Sequence, residues 1–179
     1  MMNVDDEYND DADDDHDDED EITEPPLRSL SVAVRGDCPA GFESLGMSCF
    51  VVLNVKGSYA AGQKYCEMVG ASLAVIRSQD EEALIDGYLR RNISQIQEDQ
   101  IWIGGTDLLQ EGTFLVPGTQ EVLTYFNWAP GQPDNYGRGE HCLDIFRDDA
   151  QLRWNDQLCN TDRVPLCQRE QIEPPIIVG

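Results

Sequence analysis

The segment LIDGYLRRNISQIQEDQIWIGGT, residues 84–106, contains the point at which a helical pattern gives way to strand-like pieces. Before it, Ser58 and the pair Ser78 and Glu81 are placed to cap two helices, and apolar residues follow at helical spacing. After about Gln100, short apolar pieces alternate with turns rich in glycine, proline and asparagine, which is typical of strands. Two early helices followed by several strands predict an α+β fold.

The charge of the chain is strongly negative and unevenly distributed. The net charge is -23, and residues 1–24 carry fourteen acidic side chains and no lysine or arginine, which leaves -9 for the rest. With 12 basic residues against 35 acidic ones, the positive surface that nucleic acids require is absent, so we expect no nucleic-acid binding. No apolar run is long enough to predict a membrane span.

Residues 1–37 are predicted to form an acidic extension and linker outside the folded domain. The acidic part has too few apolar residues to form a core, so we expect it to be disordered. Two roles remain open for it, a solvating tail or a low-affinity calcium- or mineral-binding tail. The linker contains Arg35-Gly36-Asp37, which resembles the integrin-binding signal. Because such tripeptides arise by chance, we do not expect an integrin partner.

The cysteines predict an oxidising compartment. There are six, widely spread and without a CxxC pair, which favours three disulfides over a zinc site and leaves fifteen pairings open. Asn92 begins an Asn-Ile-Ser glycosylation sequon, which agrees with a secreted, extracellular protein. The first residues have no signal-peptide pattern, so we expect a signal to have been removed before this numbering or to be omitted from it.

The stretch GQPDNYGRGEHC, residues 131–142, concentrates oxygen-bearing side chains between glycines. Three glycines and Pro133 exclude a helix or a regular strand, so a loop is predicted. Such a loop either lies in water or surrounds a ligand.

Several motifs, which follow one another along the chain in the order of the family, resemble those of the C-type lectin-like domain family in its long form. Trp102–Gly105 resembles the WIGL core motif, and Gln132–Asp134 resembles the QPD sugar motif. Glu140 lies two residues before a cysteine, and Trp154–Asp156 matches the WND motif with Cys159 three residues later. The resemblance covers residues 38–169, which we therefore predict to be the domain, followed by a C-terminal tail at 170–179.

The resemblance implies a fold and a disulfide pattern. It implies two helices with short antiparallel sheets and a long calcium-binding loop region. It also implies a cis bond between Gln132 and Pro133. The implied disulfides are Cys38–Cys49, Cys66–Cys167 and Cys142–Cys159.

The resemblance further implies a Ca²⁺ site and a sugar. Calcium binds six to eight oxygens in flexible geometry, which suits amides and carboxylates from separated loops. QPD members of the family generally prefer galactose-type sugars, so glycans with terminal galactose or N-acetylgalactosamine are the expected partners. The implied metal ligands are Gln132, Asp134, Glu140, Asn155 and Asp156, and the implied sugar contacts are Gln132, Asp134, Tyr136, Glu140 and Asn155.

Two positions depart from the family pattern. Galactose-binding relatives often carry a tryptophan shortly after QPD, whereas this chain has Tyr136 as its stacking candidate. A second calcium position of the family is matched by Asp107, Glu111 and Asn135, but His141 stands where an acid is expected. Histidine is a poor calcium ligand, so these residues are either a second calcium site or solvated loop positions. We interpret His141, which lies beside a cysteine, as structural.

Two other classes of function compete with a lectin. An enzyme is not expected, since His141 is the only histidine outside the acidic extension and the carboxylates are better explained as metal ligands. The alternative is an extracellular matrix or biomineral-associated protein, in which the extension and the domain bind calcium, mineral or proteins. A homo-oligomer would have to form through domain surfaces, since no heptad repeat is present.

Three tryptophans, Trp102, Trp128 and Trp154, are interpreted as core residues.

Overall fold

The computed structural model describes residues 38–96, 98–147 and 151–171. It has an α+β architecture in which two helices pack against strands, as predicted. The predicted extension at residues 1–37, including Arg35-Gly36-Asp37, and most of the predicted C-terminal tail lie outside the described residues. In chain order the elements are β1 Glu43–Leu45, β2 Ser48–Val52, α1 Tyr59–Met68, β3 Ser72–Leu73, α2 Gln79–Arg91, β4 Gln100–Thr106, β5 Glu140–Arg147, β6 Leu152–Leu158 and β7 Val164–Glu170.

Within the described residues, the strands join in the order β1-β2-β7-β4-β5-β6, and β3 also pairs with β7. The pairs are antiparallel except β4 with β7, where Ile101 lies opposite Val164 in a parallel pair. A parallel pair requires a long crossover connection, and here residues 107–163 supply it. The part of this crossover that contains the QPD motif connects β4 to β5. Both ends of that segment are therefore fixed by strands of the sheet.

The disulfides of the described residues have the pairing that the resemblance implies. Cys38 joins Cys49 beside the β1–β2 hairpin, and Cys142 on β5 joins Cys159 just after β6. Cys66 on α1 joins Cys167 on β7 across 101 residues of sequence. This last bond ties the first helix to the final strand.

Both predicted helix caps form. Ser58 Oγ accepts a hydrogen bond from Ala61 N, and Ser78 Oγ accepts one from Glu81 N. The side chain of Glu81 accepts from Arg77 N instead of the capping residue, so the second cap is only half of the predicted capping box.

The buried faces of the helices differ in part from the apolar residues that the sequence indicates. On α2, Ile85 and Leu89 are buried, whereas Ala83 and Leu84 are exposed. On α1 the buried residues include Gly62, which faces Trp102. A Cβ at Gly62 would lie 3.3 Å from Trp102 Cδ1, so the helix and the tryptophan are in close contact there. The helix therefore approaches the sheet through its smallest residue.

Strand β4 lies at the centre of the core. Trp102 is fully buried and donates from Nε1 to Gly57 O, which satisfies its polar atom. A Cβ on Gly105 would lie 2.3 Å from Leu143 Cδ1, so only glycine permits the observed approach of β5. Trp154 is also fully buried, whereas Trp128 is half-buried and stacks on Phe126 with ring centroids 5.0 Å apart.

In the described part of the chain, neither helix is long and apolar enough to cross a bilayer.

Candidate functional site

The loop that follows Gly131 has an irregular backbone, as its glycines and proline predict. The Gln132–Pro133 peptide bond is cis, as the resemblance implies. Asn135 and Arg138 have left-handed backbone angles, with φ of 42° and 59°. A single 3₁₀ turn spans Tyr136–Arg138, and β5 begins at Glu140.

Asp156 on β6 holds this loop through its carboxylate. The side chain is almost completely buried, with 1% of its surface exposed. Its Oδ1 accepts a hydrogen bond from Asp134 N at 3.1 Å, and its Oδ2 accepts one from Asn135 N at 2.8 Å. A carboxylate that accepts backbone N–H groups is a strong, charge-assisted acceptor, so Asp156 fixes the path of the loop beside β6.

Glu140, at the start of β5, is the second buried carboxylate of the site. It is 8% exposed, and its Oε2 accepts a hydrogen bond from Tyr136 N at 2.9 Å. Burial raises the pKa of Glu140 above its usual value, and the nearby carboxylates of Asp156 and Asp134 raise it further. In the absence of a cation, burial and the two neighbouring acids therefore disfavour the charged form of Glu140.

The structure brings the carboxylates of Asp134, Glu140 and Asp156 together. One oxygen from each side chain lies within 4.8 Å of the others. Gln132 is joined to the cluster because its Oε1 accepts from Asp134 N at 2.9 Å. Asn155 lies next to it, with its Nδ2 donating to the carbonyl oxygen of Asp156. Three of the predicted ligands thus converge, and Gln132 and Asn155 each bond the backbone of one of them. Carboxylate and amide oxygens are the donors that a hard cation such as Ca²⁺ requires.

Asp144 is a residue of this region that the motifs do not indicate. It lies on β5 directly opposite Asn155 and is completely buried. Burial raises the pKa of Asp144 to about 7, while the positive charge of Arg163 acts in the opposite direction. The sequence signal for Asp144 was an acid inside the apolar run of residues 142–146. Its carboxylate lies 3.5 Å from Arg163 Nε, and neither of its oxygens has a hydrogen-bond partner of good geometry among the described residues.

The residues of the second predicted metal position also lie together, and His141 lies among them. Asp107 Oδ1 is 3.0 Å from His141 Nδ1, which is 3.7 Å from a Glu111 carboxylate oxygen. Asn135 donates from Nδ2 to Glu111 Oε2 at 2.6 Å. His141 thus faces two acids.

Two further predicted residues, the exposed Tyr136 and the partly buried Asn92, are not members of the acidic clusters. Tyr136 is 77% exposed and is in the 3₁₀ turn beside the carboxylates. Asn92 is the C-terminal cap of α2, and its Nδ2 donates to Tyr88 O and to Glu43 Oε2. Glycosylation of Asn92 stays a prediction.

Comparison with known proteins gives the family. The family model described as the Lectin C-type domain matches residues 55–169. Perlucin from Haliotis laevigata is 38% identical over 135 residues, which cover 75% of this chain and 84% of that protein. Salivary C-type lectin 2 from Aedes albopictus is 31% identical over 149 residues, which cover 79% of this chain and 97% of that protein.

Solved structures agree. The carbohydrate-recognition domain of the mouse scavenger receptor C-type lectin has a TM-score of 0.65 and is 27% identical, and the match covers 77% of this chain and all of that one. The chain belongs to the C-type lectin domain family.

Proposed function

We propose that this protein is a secreted, calcium-dependent lectin of the long form that binds galactose-type sugars. The observation that carries the proposal is the convergence of three carboxylates, from Asp134, Glu140 and Asp156, where the irregular loop meets β5 and β6. The amides of Gln132 and Asn155 bond the backbone beside them. The disulfide between Cys38 and Cys49, beside the N-terminal hairpin, supports the long form. The relatives named as salivary lectins and the three disulfides support secretion.

In this proposal the calcium ligands are the five side chains that lie together at the loop. Bound calcium would neutralise the clustered carboxylates and offer open coordination positions to two neighbouring sugar hydroxyls. The buried pair, Glu140 and Asp156, already accepts hydrogen bonds from the loop backbone, so these two side chains hold the loop in place. The proposed set is Gln132, Asp134, Glu140, Asn155 and Asp156.

The order of amide and acid sets the proposed sugar preference. The amides of Gln132 and Asn155 can donate hydrogen bonds to sugar hydroxyls, whereas the carboxylates of Asp134 and Glu140 can accept them. The QPD order is that of galactose-binding relatives, so we propose galactose or N-acetylgalactosamine. The exposed ring of Tyr136 is placed to stack on the apolar face of the sugar.

We propose binding and not catalysis at this loop. A retained metal would keep the clustered carboxylates ionised, which removes the proton that a general acid would need. Because a single shallow site binds weakly, useful avidity would require several copies of the chain or of the glycan at matched spacing.

Affinity columns test the proposal. We expect calcium-dependent retention on immobilised galactose, release by a chelator, and weaker retention on mannose. Exchanging the amide and the acid, in the double variant Gln132→Glu with Asp134→Asn, should move the preference toward mannose. The matched control makes the same chemical changes at exposed positions on α2 and after β6, Gln79→Glu with Asp162→Asn, and should leave retention unchanged. Galactose retention that survives the chelator would refute the proposal.

The acidic extension favours a second activity. Fourteen acidic side chains within residues 1–24 would attract hard cations or mineral. Removing residues 1–24 should abolish mineral binding while leaving galactose retention intact, if the two activities are separable. Loss of both together would contradict that separation.

A further inference from the structure

The cluster of Asp107, Glu111 and His141 differs chemically from the carboxylate cluster at the QPD loop. Asp107 follows β4 and is 2% exposed, and its backbone N donates to His141 O at 3.2 Å. Its Oδ2 accepts from Gly112 N at 2.7 Å, which leaves Oδ1 directed at His141 Nδ1. The fold therefore holds a buried carboxylate and an imidazole nitrogen against each other.

Glu111 completes a three-sided arrangement around His141. The carboxylate oxygen of Glu111 is 3.7 Å from His141 Nδ1, and Asn135 donates to it, which fixes its direction. Zinc binds imidazole nitrogen and carboxylate oxygen at about 2.0–2.2 Å, so neighbouring ligands in a tetrahedral site lie roughly 3.4 Å apart. The two distances from His141 Nδ1, 3.0 and 3.7 Å, lie on either side of that value.

The kind of donor decides which ion this cluster suits. Calcium is a hard ion that takes six to eight oxygens, and a nitrogen donor is a poor substitute. Zinc and similar transition ions bind imidazole together with carboxylates and need only four ligands. We propose that Asp107, Glu111 and His141 form a site for a transition ion of the zinc class, with water as the fourth ligand, instead of a second calcium site.

The neighbouring loop is consistent with this geometry. An ion held by His141 Nδ1 and Asp107 Oδ1 would take the place of the direct 3.0 Å contact between those two atoms. Asn135 also accepts from Glu140 N and donates from its own N to Asp156, so it links this site to the QPD loop without being a ligand itself. The zinc site does not depend on whether the QPD loop binds sugar.

Calorimetric titration of zinc into the full-length chain, in the presence of excess calcium, tests the proposal. Excess calcium competes with zinc at sites that offer only oxygen ligands, such as the carboxylates of the acidic extension. We expect a single zinc ion to bind under these conditions. Because even outer-shell partners change metal affinity by roughly 10- to 100-fold, the variant His141→Ala should lose at least about tenfold.

The chain supplies a matched control, since its other histidine is His16 in the acidic extension. His16→Ala should bind zinc as the unaltered protein does. His141→Asp, which makes the cluster oxygen-only, should weaken zinc and strengthen calcium at this position. Cobalt, used in place of zinc, should give the visible absorption of a tetrahedral site in the unaltered chain and in His16→Ala, but not in His141→Ala.

The readouts do not involve sugar, so they separate this proposal from the lectin proposal. Zinc binding that is unchanged in His141→Ala would overturn it, as would loss of zinc binding in excess calcium. Equal zinc affinity in His141→Asp would overturn it as well, and this variant keeps the test valid if His141→Ala does not fold.

Discussion

At the scale of single residues, Asp156 connects structure to the proposed chemistry. Its carboxylate orders the loop through two backbone N–H groups and lies within 4.8 Å of the other two acids. Replacing a group that has both roles should cost more than replacing an exposed candidate ligand such as Asp134. The two acids should therefore differ in what their replacement costs.

We expect Asp156→Asn to weaken calcium binding by at least about tenfold, because the variant loses a charge and loosens the backbone of the loop. Calorimetric titration of calcium measures this. Asp162→Asn removes the same charge from an exposed position and is the control. Equal calcium affinity in Asp156→Asn and the control would contradict a ligand role for Asp156.

The sequence predicts part of the candidate site but not all of it. The resemblance to the QPD and WND motifs predicts five candidate ligand residues, and the structure brings together the carboxylates of three of them, Asp134, Glu140 and Asp156. Asp144 was missed, because only the packing of the sheet shows that both faces of β5 are buried there. No local pattern indicates that His141 contacts Asp107, because the two residues lie 34 positions apart in the sequence.

At the scale of elements, the capping residues predict where the helices begin, but the sequence does not predict which face of each helix is buried. Ser58 and Ser78 cap their helices through bonds to residues three positions away, so the sequence contains both partners. On α2, Leu84 and Ile85 are both apolar neighbours, and only the sheet decides that Ile85 is buried. The parallel pairing of β4 with β7 is likewise long-range and has no local signal.

The glycines of β4 give a prediction about packing. A Cβ on Gly104 would lie 2.8 Å from Val75 Cγ2 and 3.0 Å from Leu73 O, which is too close for both. Gly104→Ala should therefore lower the free energy of unfolding by about 1–3 kcal/mol, as overpacked cores do. Urea unfolding followed by circular dichroism measures the change.

The same substitution on α2 is a control with the opposite expected sign. At Gly87 a Cβ would meet only the flexible end of Arg91, 3.2 Å away, and alanine is the better helix former. Gly87→Ala should raise the free energy of unfolding by about 0.5–1 kcal/mol. If both variants were equally destabilised, close packing at β4 would not explain the first result.

At the scale of the whole molecule, the disulfides constrain very different lengths of chain. Cys66–Cys167 spans 101 residues and Cys38–Cys49 spans 11. In the chain-entropy model the longer loop stabilises by about 4.7 kcal/mol and the shorter by about 2.8 kcal/mol. Replacing both cysteines of the longer bond by alanine should therefore cost about 2 kcal/mol more than doing so for the shorter one.

Urea unfolding of the two double variants measures this difference. A larger cost for the Cys38–Cys49 variant would show that the hairpin at the N-terminus contributes more than loop length predicts.

Calcium should also stabilise the whole domain if it binds only the folded state. At a free calcium concentration about 100 times Kd, the expected gain in the free energy of unfolding is about 2.7 kcal/mol. Unfolding with calcium and with a chelator measures the gain, and Asp156→Asn should reduce it. An equal gain in this variant would assign the effect to other carboxylates, such as those of the acidic extension.

The most direct test of the proposed lectin activity is calorimetric titration of galactose into the full-length protein with calcium present and then with a chelator. We predict heat of binding in calcium, none in the chelator, and a weaker signal when mannose replaces galactose. Binding of galactose that is the same with and without calcium would contradict the assignment of the sugar site to the Gln132–Asp134 loop.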